Sequence, residues 1–172
     1  MVLLIASCIR KRLIPVKSMS SSLVFNTAYH QFYLVDKGSD NDTGGDFWSE
    51  ETLADRLAVN NRLIGVSTAS YGRIQAEINF FEKEPVIQDL SRFDHAVEAG
   101  IAIESGVIEI ADCPNSAVMK EIKVSPGKYR FRIYSANLVG VVDDDGADSY
   151  IIEIWPSEDL SFKALKRFYN GN

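Results

Sequence analysis

Two cysteines, two histidines and five prolines in 172 residues set the first bounds. Cys8 and Cys113 form no CxxC pair and have no other metal ligands clustered beside them, which argues against a zinc site or a disulfide framework. Without the first 22 residues the chain keeps one free thiol, which fits a reducing compartment, so a cytoplasmic protein is expected. Long hydrophobic runs are missing too: nothing approaches the ~18 apolar residues of a membrane span. The stretch Met1 to Cys8 looks like the end of a lipoprotein signal, but it is too short, and Arg10, Lys11 and Arg12 follow it instead of preceding it. The favoured reading of residues 1–22 is a translation start at Met19 or a frayed tail; a membrane-anchored form is the alternative. No GxSxG, P-loop, HExxH or dinucleotide fingerprint occurs, and no cofactor is expected.

What is present reads as one ordinary domain, residues 23–172. The chain is 46% hydrophobic and 24% charged, a globular composition. A chain of this length buries roughly 70% of its unfolded surface and needs no metal or disulfide to fold. Net charge is −6, but the first 22 residues carry four basic residues and no acid. The remainder holds 14 basic and 24 acidic residues, a net of −10. Direct phosphate binding needs the opposite sign. An acidic body suits a basic protein partner, including one that itself binds nucleic acid.

Period-two alternation dominates the chain. Thr27 to Val35 reads as a strand with Tyr29, Gln31, Tyr33 and Val35 on one face and Ala28, His30, Phe32 and Leu34 on the other. Gly38 to Gly45 reads as a loop of Ser, Asp, Asn, Thr and Gly. Ser49 is placed to cap a helix whose first turn carries Glu50 and Glu51, with Leu53 and Leu57 inward and Asn60-Asn61 ending it. Trp48, just before the cap, is placed to staple that helix to the sheet. Further strands follow, among them Tyr129 to Tyr134 and Tyr150 to Trp155. Phe162, Leu165 and Phe168 or Tyr169 have helical spacing, with Lys163, Lys166 and Arg167 suiting a helix C-terminus. The expectation is a mainly β protein: an antiparallel β-sandwich of about eight strands, with one peripheral helix and a short C-terminal helix.

Asp143, Asp144 and Asp145, with Asp148 nearby, are the strongest local charge feature. They lack the alternating carboxylates of a calcium loop and are read as a partner-facing acidic patch or a solvated loop. His30, inside an aromatic strand, is a contact residue or a structural histidine. Trp155, Tyr134 and Tyr33 are candidate anchors, or packing residues of the inner faces.

Four segments carry a resemblance. Tyr29-His30-Gln31-Phe32, Asp46-Phe47-Trp48-Ser49-Glu50-Glu51, Pro126-Gly127-Lys128-Tyr129 and Ala147-Asp148-Ser149-Tyr150-Ile151-Ile152-Glu153 occur in this order. Together they resemble the competence protein J family, inhibitors of the DNA-entry nuclease of bacterial transformation. The chain is longer than that pattern at both ends and in the middle, around Glu82 to Arg92. The resemblance implies a non-catalytic protein that binds and blocks a nuclease, which as a phosphate-holding enzyme is basic. The partner-facing residues expected are Asp143, Asp144, Asp145, Asp148, His30 and Trp155, with Glu50 and Glu51 as secondary candidates. Two other classes compete. A small-ligand or carbohydrate-binding module needs exposed rings, such as Trp48 and Trp155, around a cleft. A hydrolase needs His30 or His95 within reach of a carboxylate.

Overall fold

The computed structural model describes residues 17–27, 29–40, 42–112, 117–139 and 146–169. The alternating sequence yields eleven strands among these residues, in two sheets. The larger sheet has six strands. Their spatial order is β1 (Lys17–Asn26), β5 (Arg73–Phe81), β10 (Ser149–Pro156), β9 (Gly127–Ala136), β6 (His95–Ile103) and β11 (Lys163–Lys166). The smaller sheet runs β3 (Leu57–Val59), β4 (Leu63–Ser67), β2 (Gln31–Asp36), β7 (Val107–Ala111), β8 (Val118–Lys123). One five-residue helix, α1 (Glu50–Ala54), precedes β3. No helix among the described residues is long and apolar enough to cross a membrane.

Alternation sorts each strand into two faces. Phe131 and Ile133 of β9, Ile152 and Ile154 of β10 and Val97 and Ile101 of β6 enter the same apolar cluster as Phe32, Leu34, Ile64 and Ile110 of the smaller sheet. The two sheets therefore share one core. On β10, β9 and β6 the other face of the larger sheet is charged, yet it is also buried. Arg132 of β9 is fully buried and bridges Glu98 of β6 at 2.5 Å and Glu153 of β10 at 3.0 Å. Arg130 adds a 3.0 Å contact to Glu98, and the Arg132 guanidinium lies 4.8 Å from the centre of the Trp155 ring.

The connection from β5 to β6 covers these charges. In the sheet β5 and β6 are separated by β10 and β9, so residues 82–94 must cross both. Polar contacts pin this strap. Arg132 donates to the Pro85 carbonyl at 3.0 Å, Gln88 donates to Glu153 at 2.8 Å, and the Gln88 amide donates to the Tyr134 hydroxyl at 3.0 Å. Leu90 packs beside Phe93, Ala96, Tyr134 and Leu165.

Several expectations are corrected. There are eleven strands, not eight, and β10 runs parallel to β5, so the sheet is mixed. Lys17 to Ser22, expected in the tail, belong to β1. The C-terminal helix is absent: residues 163–166 pair antiparallel with β6, because the sheet edge offers backbone partners that a four-residue helix cannot match. Helix α1 ends earlier than its apolar spacing suggested. Asp55 caps it, Arg56 turns left-handed at φ 51, and Leu57 already belongs to β3.

Candidate partner-binding surface

At one end of the molecule two turns lie against each other. The first, at Tyr29-His30, hands the chain from β1 in one sheet to β2 in the other. Both residues are left-handed, with φ of 57 and 56, a conformation bulky side chains seldom adopt. The second, Thr68 to Gly72, joins β4 to β5. They are tied by Thr68 N donating to the His30 carbonyl at 2.8 Å and by the Thr27 hydroxyl donating to the Ser70 carbonyl at 3.0 Å. Behind them sits Asp148, only 1% exposed. Its carboxylate accepts from the amides of Ala69 and Ser70 at 3.0 and 3.2 Å, from the Tyr150 hydroxyl at 2.7 Å and from the Ser70 hydroxyl. Burial, with the Asp148 carboxylate alongside, pushes the Tyr150 phenol well above its ordinary pKa, so it stays a donor. Gly146 passes so close to Ser70 and Asp148 that a side chain there would collide with both.

The outward side of the same turns is aromatic. Tyr29 is 71% exposed and Tyr71 44%. The Tyr71 ring meets Tyr29 edge-on at 6.3 Å and His30 edge-on at 5.5 Å. His30 is exposed, and its Nδ1 lies 3.2 Å from the Ala69 carbonyl. A carbonyl only accepts, so Nδ1 is the donor here, and in the neutral form of the ring the lone pair is on Nε2.

A second feature runs across the outside of the smaller sheet. Residues 37–49 return from the far end of β2 to α1. Phe47 stacks on Tyr33, and Trp48 donates to the Tyr33 hydroxyl at 3.3 Å. Gly65 in β4 makes room for them, since a Cβ there would stand 2.6 Å from the Trp48 ring. Ser49 then caps α1, its hydroxyl accepting from Thr52 N at 3.2 Å while Thr52 accepts from Ser49 N at 2.8 Å. With its rings turned inward, the segment turns Asp40, Asp42, Asp46, Glu50 and Glu51 outward, all exposed. None of the five has an ion pair among the described residues. Elsewhere carboxylates are mostly matched: Asp36 with Arg62, Asp55 with Arg167, Glu77 with Lys17, Glu121 with Lys37, Glu158 with Lys128.

No family model matches the chain, and no curated protein does. Solved structures do match. The fold is similar to that of ComJ. The crystal structure of ComJ, inhibitor of the DNA-degrading activity of NucA from Bacillus subtilis, matches at TM-score 0.61 over 84% of this chain and 99% of that one, with 16% identity. A structure described as crocagin biosynthetic gene J matches at TM-score 0.53 over 81% of this chain and 98% of that one, also with 16% identity. At such identity the likeness is one of fold.

On this ComJ-like frame the expected site residues separate. Asp143, Asp144 and Asp145 lie outside the described residues. Asp148 does not face a partner: the turn amides and the hydroxyls of Ser70 and Tyr150 take up its carboxylate. Trp155 is 2% exposed beneath Arg132 and is packing, as are Tyr33 and Tyr134. His30 is outward, and Asp148 lies buried behind the two turns, bonded to the amides of the Thr68 to Gly72 turn. Glu50 and Glu51 are exposed. Two further carboxylates, Asp40 and Asp42, were read only as loop composition, and Asp46 only as the start of the segment leading into the helix; their spacing before a capped helix was the available signal. No local signal in the sequence pairs Tyr71 with Tyr29. Both imidazoles engage the main chain: His95 Nε2 lies 2.9 Å from the Asp55 carbonyl, and the Phe168 amide donates to its Nδ1 at 3.1 Å.

Proposed function

We propose that this protein is a non-catalytic inhibitor that binds a basic DNA-degrading nuclease through an acidic face. The observation that carries the reading is the run of five exposed carboxylates, Asp40 to Glu51, without ion pairs among the described residues of a chain that neutralises most of its other acids internally. A nuclease cleft is cationic because it holds phosphates, and unneutralised carboxylates on a rigid face attract it over long range. The likeness in fold to ComJ supports the same reading, with the two sheets taken as a sandwich that displays the face. Asp143, Asp144 and Asp145 add to that charge in this reading. The free thiol of the domain body fits action in the cytoplasm.

The test is a cleavage assay. The purified chain is titrated against NucA and the DNA-degrading nucleases of its own source organism. Cleavage by at least one should stop near one equivalent. Undiminished cleavage by all of them at stoichiometric excess would overturn the proposal.

A further inference from the structure

We propose that the tip formed by Tyr29, His30 and Tyr71 enters the nucleic-acid cleft of the partner, its rings standing where bases stack and His30 Nε2 standing where a phosphate oxygen accepts. The inference rests on the inhibitor reading and specifies how inhibition occurs.

The tip is built as a contact, not as packing. Two tyrosines and a histidine project from turns at the end of the sheets, and Tyr29 is 71% exposed. Large exposed rings held edge to edge lose little freedom on binding, and such residues anchor interfaces. The backbone under them is strained: Tyr29 and His30 are consecutive left-handed residues, at positions where glycine or asparagine would fit without penalty. Strain kept at an exposed tip, where no core packing requires those side chains, points to a function for them.

The polarity of the tip is set from behind. The Ala69–Ser70 peptide joins His30 to Asp148: its carbonyl, that of Ala69, faces His30 Nδ1 at 3.2 Å, and its N–H, that of Ser70, donates to the Asp148 carboxylate at 3.2 Å. A carboxylate on the N–H side polarises the peptide and makes its carbonyl a better acceptor. This favours the Nδ1–H form and leaves Nε2 outward as an acceptor. Asp148 is a positioning residue for His30. A cleft that holds nucleic acid offers the complementary groups: donors for phosphate oxygens and flat space for bases, which takes any π-face. The partner class that fits the tip is therefore a basic, base-accommodating cleft.

The experiment uses the full chain, the inhibited nuclease and a catalytically inactive form of that nuclease carrying a fluorescent DNA duplex. The wild-type chain should displace the DNA in step with inhibition. Tyr29→Asn removes the ring while suiting the left-handed turn, and should weaken inhibition by roughly 30-fold or more, as expected of an interface anchor. Tyr71→Ala should act in the same direction. Ring nitrogen NMR shifts of the free protein should show His30 protonated on Nδ1. If the wild type inhibits but Tyr29→Asn and Tyr71→Ala inhibit equally well, this inference falls and the inhibitor reading stands. DNA that stays bound in the complex, or a His30 ring protonated only on Nε2, would also overturn it. If the wild type inhibits no nuclease, both fall together.

Discussion

His95 is where two distant parts of the chain are held together by one neutral ring. It opens β6, is 1% exposed, and reaches the Asp55 carbonyl at the end of α1 with one nitrogen. Its other nitrogen accepts from the Phe168 amide beyond β11. A ring that accepts at Nδ1 and donates at Nε2 must be neutral. Burial lowers its pKa; the Asp55 carbonyl and carboxylate act in the opposite sense, and Arg56 and Arg167 reinforce the lowering. A folded-state pKa below the unfolded value of about 6.5 means that the unfolded chain binds the proton first. Stability is therefore full above that value and declines as pH falls through it, until the lowered folded pKa is passed. Urea titrations from pH 7.5 to 5 should show the midpoint falling, and amide exchange at Phe168 should accelerate over the same range. His95→Gln should flatten that pH slope. An unchanged slope in the variant would show that another group is responsible.

At the scale of elements, the strap and the charged sheet face stabilise each other. Arg132 is fully buried, with Glu98, Glu153 and the Pro85 carbonyl as partners, while its contact to Glu84 at 3.3 Å involves a carboxylate that is 66% exposed. Removing one partner of a buried ion pair leaves the other charge unpaired, which costs about 3–5 kcal/mol. Arg132→Leu should therefore destabilise the fold by about that amount, because it leaves Glu153 under the strap without a cation and Glu98 with Arg130 alone. Glu84→Gln should cost less than ~1 kcal/mol, as exposed pairs do. Chemical denaturation of both variants checks the contrast; equal effects would mean that the strap does not seal the network. The face pattern of this region was legible: Tyr129, Phe131 and Ile133 against Arg130, Arg132 and Tyr134 is the alternation observed. That the charged face would be buried was not legible, because what covers it is a connection crossing two strands, and crossovers leave no mark in local periodicity. The same limit hid the parallel β5–β10 pair. The terminal strand was misread because Phe162, Leu165 and Phe168 satisfy a helical spacing that edge pairing overrides. Asp148 was misread because formal charge does not reveal that two turn amides and two hydroxyls converge on it.

At the scale of the whole molecule, the sign and placement of charge decide how an encounter begins. Matched carboxylates cancel beyond about a Debye length, roughly 8–10 Å at physiological salt, so the far field is governed by those left unmatched. Among the described residues these include Asp40, Asp42, Asp46, Glu50 and Glu51, all on one connection. Asp40 and Asp42 were not singled out by the sequence for a physical reason: a polar loop looks the same whether its acids are matched or left exposed, and the seating of Phe47 and Trp48 over Gly65 is a tertiary contact. Charges on a rim steer association more than they hold the complex, whereas a buried anchor controls departure. The two features should therefore separate kinetically. Replacing the five acids by their amides should slow association with the inhibited nuclease by about tenfold or more at low salt and flatten its dependence on ionic strength, with little change in dissociation. Stopped-flow association measured from low salt to several hundred millimolar reads both quantities. If the amide variant kept the wild-type salt slope, steering would have to arise elsewhere, and Asp143, Asp144 and Asp145 would be the next residues to neutralise.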